Sequence, residues 1–386
     1  MNVPDQPDQP ASDDQEDELS SLLKRSLSTE EMDDQSDSIG EAVAVTFTTQ
    51  DYPVDGLVSR LEKETMIIPR FGAPPDKVQS AKFQRGFVWT KKQMDKFVES
   101  LLLGYPIPGI FLVKQPGDNR LLVLDGQQRL ETLRRFYGGI HNERVFALEN
   151  VDDAFKGLSY AKLDEEQRIA LDNSYMQATI VAADGSNEMY DAIYQIFERL
   201  NSGGTQLTPH EIRVALFSGQ LMDSIAAINR MPSWRSLYGG EPSARLRDHE
   251  LILRILAMYE RSASYKRPLK IFLNNFAKDL RASEAATTDA GEKFIAAAEA
   301  ISRLAGSWAL RREGNAQVNA AQTEAIFVAV MEALTAGPAP EDLLLRIEVL
   351  KADEEFDRAT SRATADNDSV KLRLSRARQL LTTPVS

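Results

Sequence analysis

From residue 217 to residue 386 almost no stretch reads as a strand. Apolar residues recur there at helical spacing, and the predicted helices include 219–229, 248–260, 268–283, 287–309, 317–335, 339–352 and 368–382. Gly, Pro, Ser and Asn clusters such as "YGGEPSA" and "TAGPAPED" separate them, and no internal repeat is visible. The architecture this implies is a mixed module followed by a long helical region.

Residues 42–216 supply the mixed part. "AVAVTFTTQDYP" at 42–53 predicts a short strand, and "VDGLVSRLEKET" a helix with Leu57, Val58 and Leu61 on one face. The prolines and glycines of "MIIPRFGAPPDKVQSAKFQRGFVW" forbid a long helix, so that stretch is expected to be extended. Thr90 and Gln93 have the spacing of a capping box, ahead of a stripe of Met94, Phe97, Val98, Leu101 and Leu102, and Gly104 marks the helix end. "YPIPGIFLVKQ" and "RLLVLD", separated by "PGDN", fit a hairpin. Leu130, Leu133 and Phe136 then place a helix against that sheet, "YMQATIVAAD" predicts a strand and "NEMYDAIYQIFERL" an amphipathic helix. Thr208, Pro209 and Glu211 mark another helix start, with a cap, a first-position proline and a capping box.

Composition removes several chemistries. There is no cysteine, which excludes disulfides, thiolate zinc sites and cysteine nucleophiles. The three histidines, His141, His210 and His249, do not have metal-ligand spacing. Catalysis would have to use carboxylates, amides, hydroxyls and arginine. No apolar run approaches the roughly 20 residues that span a bilayer, and no secretory signal is visible, so no membrane is expected and the cytoplasm is the expected location. The net charge of −13 is unevenly distributed. Residues 1–41 hold 13 acids against Lys24 and Arg25, whereas the remainder carries 45 acids and 43 bases. The acidity belongs to a tail whose Asp, Glu, Gln, Ser and Pro content predicts disorder. The domains expected are therefore a disordered acidic tail at 1–41, a mixed domain at 42–216 and a helical domain at 217–386.

The chemistry concentrates in "LLVLDGQQRLETLRRF", residues 121–136. A strand that passes through a glycine into a helix leaves free amides and the positive end of the helix dipole at the turn, a geometry that favours phosphate. Gly126 permits the turn, and Arg129 can grip phosphate in a bidentate fork. Gln127 and Gln128 offer donors and acceptors for sugar, base or an attacking water, while Asp125 can hold Mg²⁺ or accept a proton. The plain alternative is an ordinary Asp-Gly turn with a polar first helical turn. In "FQRGFVW", Gln84, Arg85 and Trp89 suit stacking on a base with an arginine on phosphate, or else buried aromatics beside a structural ion pair. In "ERLNSGGT", Asn201, Ser202, Gly203 and Gly204 can present amides to an anion, or simply connect two helices.

Four blocks, "FQRGFVW", "ESLLLGYPIPGIFLV", "LLVLDGQQRLETL" and "FERLNSGGTQLTPHEIRVALFSG", stand in the order of the GmrSD N-terminal domain family, the DGQQR proteins of the ParB/sulfiredoxin-like superfamily. The resemblance covers about residues 57–280, with "DHELILRILAMYE" and "PLKIFLNNF" similar to a helical extension that many members carry. It implies an α+β fold with a ParB/sulfiredoxin-like mixed core. It implies that Asp125, Gly126, Gln127, Gln128 and Arg129 lie at a nucleotide or catalytic centre with Gln84 and Arg85 close by. Family members act in bacterial phage defence, commonly coupling nucleotide hydrolysis to recognition or cleavage of modified DNA. Many carry a C-terminal HNH nuclease, yet no histidine follows His249 here, so efficient duplex cleavage by this chain alone is not expected. "GAPPDKVQSAK" looks like an insertion, and Phe83 stands where the family usually has tyrosine.

Three functions follow as expectations. The first is a nucleoside-triphosphate hydrolase with weak DNA nicking, using Arg129 on phosphates, a glutamine on water and Asp125 on Mg²⁺. The second is a nucleotide or DNA sensor without turnover that signals to a separate nuclease or defence partner, with Lys82, Arg85, Lys91, Lys92, Arg134 and Arg135 near a phosphate backbone, unless these form a merely solvated face. The third is an interaction role, in which the helical region forms a homodimer or docks a partner.

Overall fold

The computed structural model describes residues 45–68, 89–114, 120–183, 186–200, 208–243, 245–282 and 284–382. The expected acidic tail at 1–41 lies outside them. Strand β1 (Phe47–Pro53) leads into helix α1 (Val54–Glu62) and the short β2 (Met66–Ile67). Helix α2 (Lys91–Leu102), β3 (Ile110–Lys114), β4 (Leu121–Asp125) and α3 (Gln127–Gly138) follow. A small hairpin, β5 (Ile140–His141) and β6 (Arg144–Val145), precedes α4 (Glu165–Asp172) and β7 (Tyr175–Ala182). Beyond it come α5 (Asn187–Leu200), α6 (Pro209–Leu216), α7 (Gln220–Ile228), α8 (Pro232–Tyr238), α9 (Arg247–Arg261) and α10 (Leu269–Asp279). The last five helices are α11 (Glu284–Leu304), α12 (Ala320–Ala336), α13 (Leu343–Ala352), α14 (Glu354–Ser361) and α15 (Asn367–Thr382). The fold is mixed α+β with a helical C-terminal half, as expected.

The main sheet is mixed, in the order β1-β7-β3-β4-β2. β3 and β4 pair antiparallel, as the hairpin reading requires, while β7 runs parallel to β3 and β2 parallel to β4. Along β4 the side chains alternate between two cores. Leu121 and Val123 join one with Ile110, Leu112, Leu130, Leu133 and Phe136. Leu122 and Leu124 join the other with Val113, Val181, Ile193 and Phe197. A strand buried on both faces needs apolar residues at every position, which is why "LLVL" runs without a polar interruption.

The second core continues without a break from the sheet into the C-terminal helices, taking in Trp234, Ile252, Phe294, Phe327 and Leu374. Here α9 packs on α12, and α12 on both α11 and α15. At their junction Glu324 accepts from two arginines: Arg373 donates from Nε and Nη2 at 2.9 and 2.8 Å, and Arg254 donates from Nε. All three side chains are buried, and Arg373 also donates to the Thr364 carbonyl.

A second buried polar chain ties α6 to α9. Arg213 can only donate, so His210 Nδ1, 3.1 Å from Arg213 Nη1, must accept. Neutral His210 then donates from Nε2 to His249 Nδ1 at 2.8 Å, and His249 donates onward to the Met222 carbonyl at 3.3 Å. Every link is thereby oriented, and protonating His210 would set two N–H groups against each other. Burial first, then the neighbouring His249 and Arg213, hold the His210 pKa well below its usual value. Burial likewise lowers His249 to about 4.

Two predictions follow from these clusters. Replacing Glu324 by Ala leaves two buried guanidinium groups without their carboxylate, and should lower stability by about 3–5 kcal/mol in urea denaturation. For acid, the unfolded chain binds protons on these imidazoles near the ordinary value of 6.5, whereas folded His249 binds one only near about 4. The unfolded state therefore carries more protons across that window, and stability falls as pH drops through it. Urea midpoints should be level above about pH 7 and decline between about 6.5 and about 4. A midpoint unchanged down to about pH 5 would contradict the buried-imidazole chain.

Candidate functional site

The glycine turn after β4 forms as the sequence predicts. Gly126 is the N-cap of α3 with φ +92°, in the left-handed region that glycine tolerates. Space adds a second reason for glycine: a Cβ here would stand 2.3 Å from Ile110 Cγ2. Gly109, at the entry to β3, is constrained in the same way, since its Cβ would meet the Gln177 carbonyl oxygen at 2.7 Å. Gly126 is thus confined by the Ile110 side chain, and Gly109 by the main chain at Gln177.

The start of α3 differs from those of α2, α4 and α6. Those three helices carry complete capping boxes, from Thr90 and Gln93, Asp164 and Gln167, and Thr208 and Glu211. Gly126 has no side chain to offer, so the N-cap of α3 supplies no acceptor to the first turn, as is also the case at α1, α7, α8, α9, α10 and α13. Asp125 and Arg129 stand one helical turn apart at the start of α3. Arg129 Nη2 donates to Asp125 Oδ2 at 2.7 Å, and Nη1 donates to the Pro108 carbonyl at 2.8 Å. The carboxylate is 47% exposed, but the guanidinium side chain only 12%. Arg129 therefore clasps the entry to β3 with one nitrogen and the exit of β4 with the other.

The two glutamines divide their tasks. Gln128 Oε1 accepts from the Trp89 backbone N–H at 3.2 Å, and so ties the end of "FQRGFVW" to α3. Gln127 makes a longer bond, from Nε2 to the Val123 carbonyl at 3.4 Å. Trp89 itself packs edge-on against Phe97 of α2, with ring centroids 5.5 Å apart. Trp89 is half-buried there, packed against the core that α2 and α3 share. Gln84 and Arg85, like Asn201, Ser202, Gly203 and Gly204, lie outside the described residues, as do Lys82 and its neighbours.

Three of the basic residues considered for a phosphate backbone are held by local carboxylates. Arg134 and Arg135 both donate to Glu131, at 2.6–2.9 Å. Burial opposes ionisation of Glu131, but these two guanidinium groups outweigh it and hold its pKa below the usual range. Arg135 also faces His141, whose pKa is lowered to about 4 by burial, then by Arg135 and Lys91. Lys91 pairs with buried Asp95 and lies over the Phe146 ring.

Sequence reasoning missed Asp95. Its carboxylate accepts from the Glu149 and Asn150 amides and the Asn150 side chain at 2.9–3.1 Å, and so fastens the 147–152 segment to α2. Its signal was a lone carboxylate between Met94 and Phe97 of an apolar stripe. The Pro108 carbonyl was also missed, because a backbone acceptor has no sequence signature.

Residues 70–218 match the model of the family described as GmrSD restriction endonuclease, N-terminal domain, and the chain carries a domain of that family over this stretch. The matched span holds the glycine turn, α3, three of the four sequence blocks and all but the last residue of the fourth. No curated protein and no solved structure matches the chain. Among the described residues, no helix is long and apolar enough to cross a membrane.

The packing of the turn is testable by a double-mutant cycle. Gly126→Ala should destabilise by roughly 1–3 kcal/mol, from an unfavourable φ and the clash with Ile110. Ile110→Ala removes the obstructing methyl, so the double variant should lose less than the sum of the single losses. Additive losses would mean that Ile110 does not confine the turn.

Proposed function

We propose that this protein belongs to a restriction or phage-defence system and binds a nucleotide by its phosphates at the Asp125–Arg129 turn. The family match over 70–218 supports the first part. The second part rests chiefly on one observation: an uncapped helix start with a guanidinium and a carboxylate at its mouth. The amides and helix dipole favour an anion there, and Arg129 has the fork that suits phosphate. A strand-to-helix glycine turn followed by an arginine is also what a ParB-like core would offer a nucleotide.

In the hydrolytic version of this reading, Arg129 holds phosphate, Asp125 carries Mg²⁺ and Gln127 orients water. Gln127 suits that task better than Gln128, whose carbonyl oxygen is engaged by the Trp89 amide. A particular observation also favours binding without turnover. Both glutamines already serve the fold, Gln128 through Trp89 and Gln127 through Val123. In that version the nucleotide or DNA state is passed to a separate nuclease effector.

Phosphate release from the purified chain with each nucleoside triphosphate and Mg²⁺, run beside a thermal-shift panel, separates these versions. Stabilisation by a nucleotide that Arg129→Ala abolishes is the expected result. Turnover that Asp125→Ala lowers by about tenfold or more selects the hydrolase, and stabilisation with only background release selects the sensor. Nucleotides that shift neither the wild type nor the variant would overturn the proposal.

A further inference from the structure

We infer that the outer face of α13 is a docking surface for residues 19–27 of this same chain. Helix α13 is apolar on both sides. Leu343, Ile347 and Leu350 enter the second core, whereas Leu344, Leu345 and Val349 are exposed, the last two at 55 and 50%. One helix of ten residues thus carries three of the ten exposed large apolar side chains among the described residues. Scattered apolar residues on a surface are ordinary, but a helix that is apolar all round belongs inside a larger assembly. The same outer face bears exposed Glu348, one turn beyond Leu344, and exposed Glu341 lies just ahead of the helix. The two bases of α13 are turned elsewhere: Arg346 pairs with Asp342, and Lys351 donates to the Trp308 carbonyl at 3.2 Å. The surface is therefore apolar with negative charge in and beside it.

A fitting occupant brings an apolar stripe flanked by bases. Residues 1–41 contain one such segment, "LSSLLKRSL" at 19–27. At helical spacing Leu19, Leu22, Leu23 and Leu27 share one face. Lys24 and Arg25 fall on opposite sides of that stripe, and they are the only bases in 1–41 against 13 acids. An amphipathic segment with anchors at these intervals is the kind that lies along an apolar helix surface.

Reach allows the contact. Residues 28–44 join the segment to Val45 and can extend about 55 Å. A folded body of this size has a radius of gyration of about 20 Å, so every part of its surface is accessible. Tethering also holds the segment at millimolar effective concentration, so a small contact suffices. A second copy of α13 suits the face less. Glu348 lies at the middle of the helix, so two-fold antiparallel pairing would set two Glu348 carboxylates against each other.

The chain has no cysteine, so introduced pairs report proximity cleanly. In the full chain Ser20→Cys is combined with Ala352→Cys at the exposed end of α13, or with Lys162→Cys on the mixed domain as a reference. A bismaleimide should link positions 20 and 352 within one chain at least about fivefold faster than 20 and 162, because docking raises the local concentration. Leu345→Asp, at an exposed position, should remove that preference, and its thermal melt reports that it folds. Lys24→Glu with Arg25→Glu should slow the link, and adding Glu348→Lys should recover part of it. Equal rates for the two cysteine pairs overturn the inference. So does a preference that survives Leu345→Asp, since the segment would then rest elsewhere. Links formed mainly between two chains overturn it as well, and make a second copy the occupant.

Discussion

A strand covered on both faces confines its polar chemistry to its end. Along β4 every side chain from Leu121 to Leu124 enters one core or the other. The first position free of that demand is Asp125, and the next residue is a glycine that turns the chain into α3. The site's location is therefore a by-product of burial. Helices α1, α2 and α3 cover one face, and α5 with the C-terminal helices covers the other. The strands' own ends remain for contact with a ligand.

Much of this was legible because the relevant signals are local. The capping boxes at Thr90 and Thr208 form as their spacing predicts, and Leu130, Leu133 and Phe136 are buried on α3. The helical segments after 217 largely fall where periodicity puts them. Helices α8 and α14 were not anticipated, since seven and eight residues leave too few turns for a period to show. Helix α4, with eight residues, was hidden in the same way. The parallel pairing of β7 with β3 was also out of reach, because strand order is set by packing between segments distant in sequence.

At the site the sequence identified the turn but not its internal bonds. Asp125 ends the strand and Arg129 lies four residues on, in the first turn of the helix, and each was assigned to an external ligand. The structure joins them to each other and ties Arg129 to Pro108. Gln128 was likewise read as a ligand group, whereas its carbonyl oxygen meets the Trp89 amide. The same polar atoms that suit a ligand also suit the protein when the ligand is away, and composition cannot distinguish the two. Arg134 and Arg135 illustrate this, since Glu131 engages both guanidinium groups.

The confinement of Gly126 by Ile110, and of Gly109 by the Gln177 carbonyl, has a consequence for how such a domain diversifies. Where a methyl sets the gap, as at Gly126, a smaller side chain in its place can widen it, but where main chain sets it, as at Gly109, widening means moving a strand. Descendants of this scaffold can therefore retune the turn through Ile110 and the side chains around the rim, whereas the approach at Gly109 is inherited.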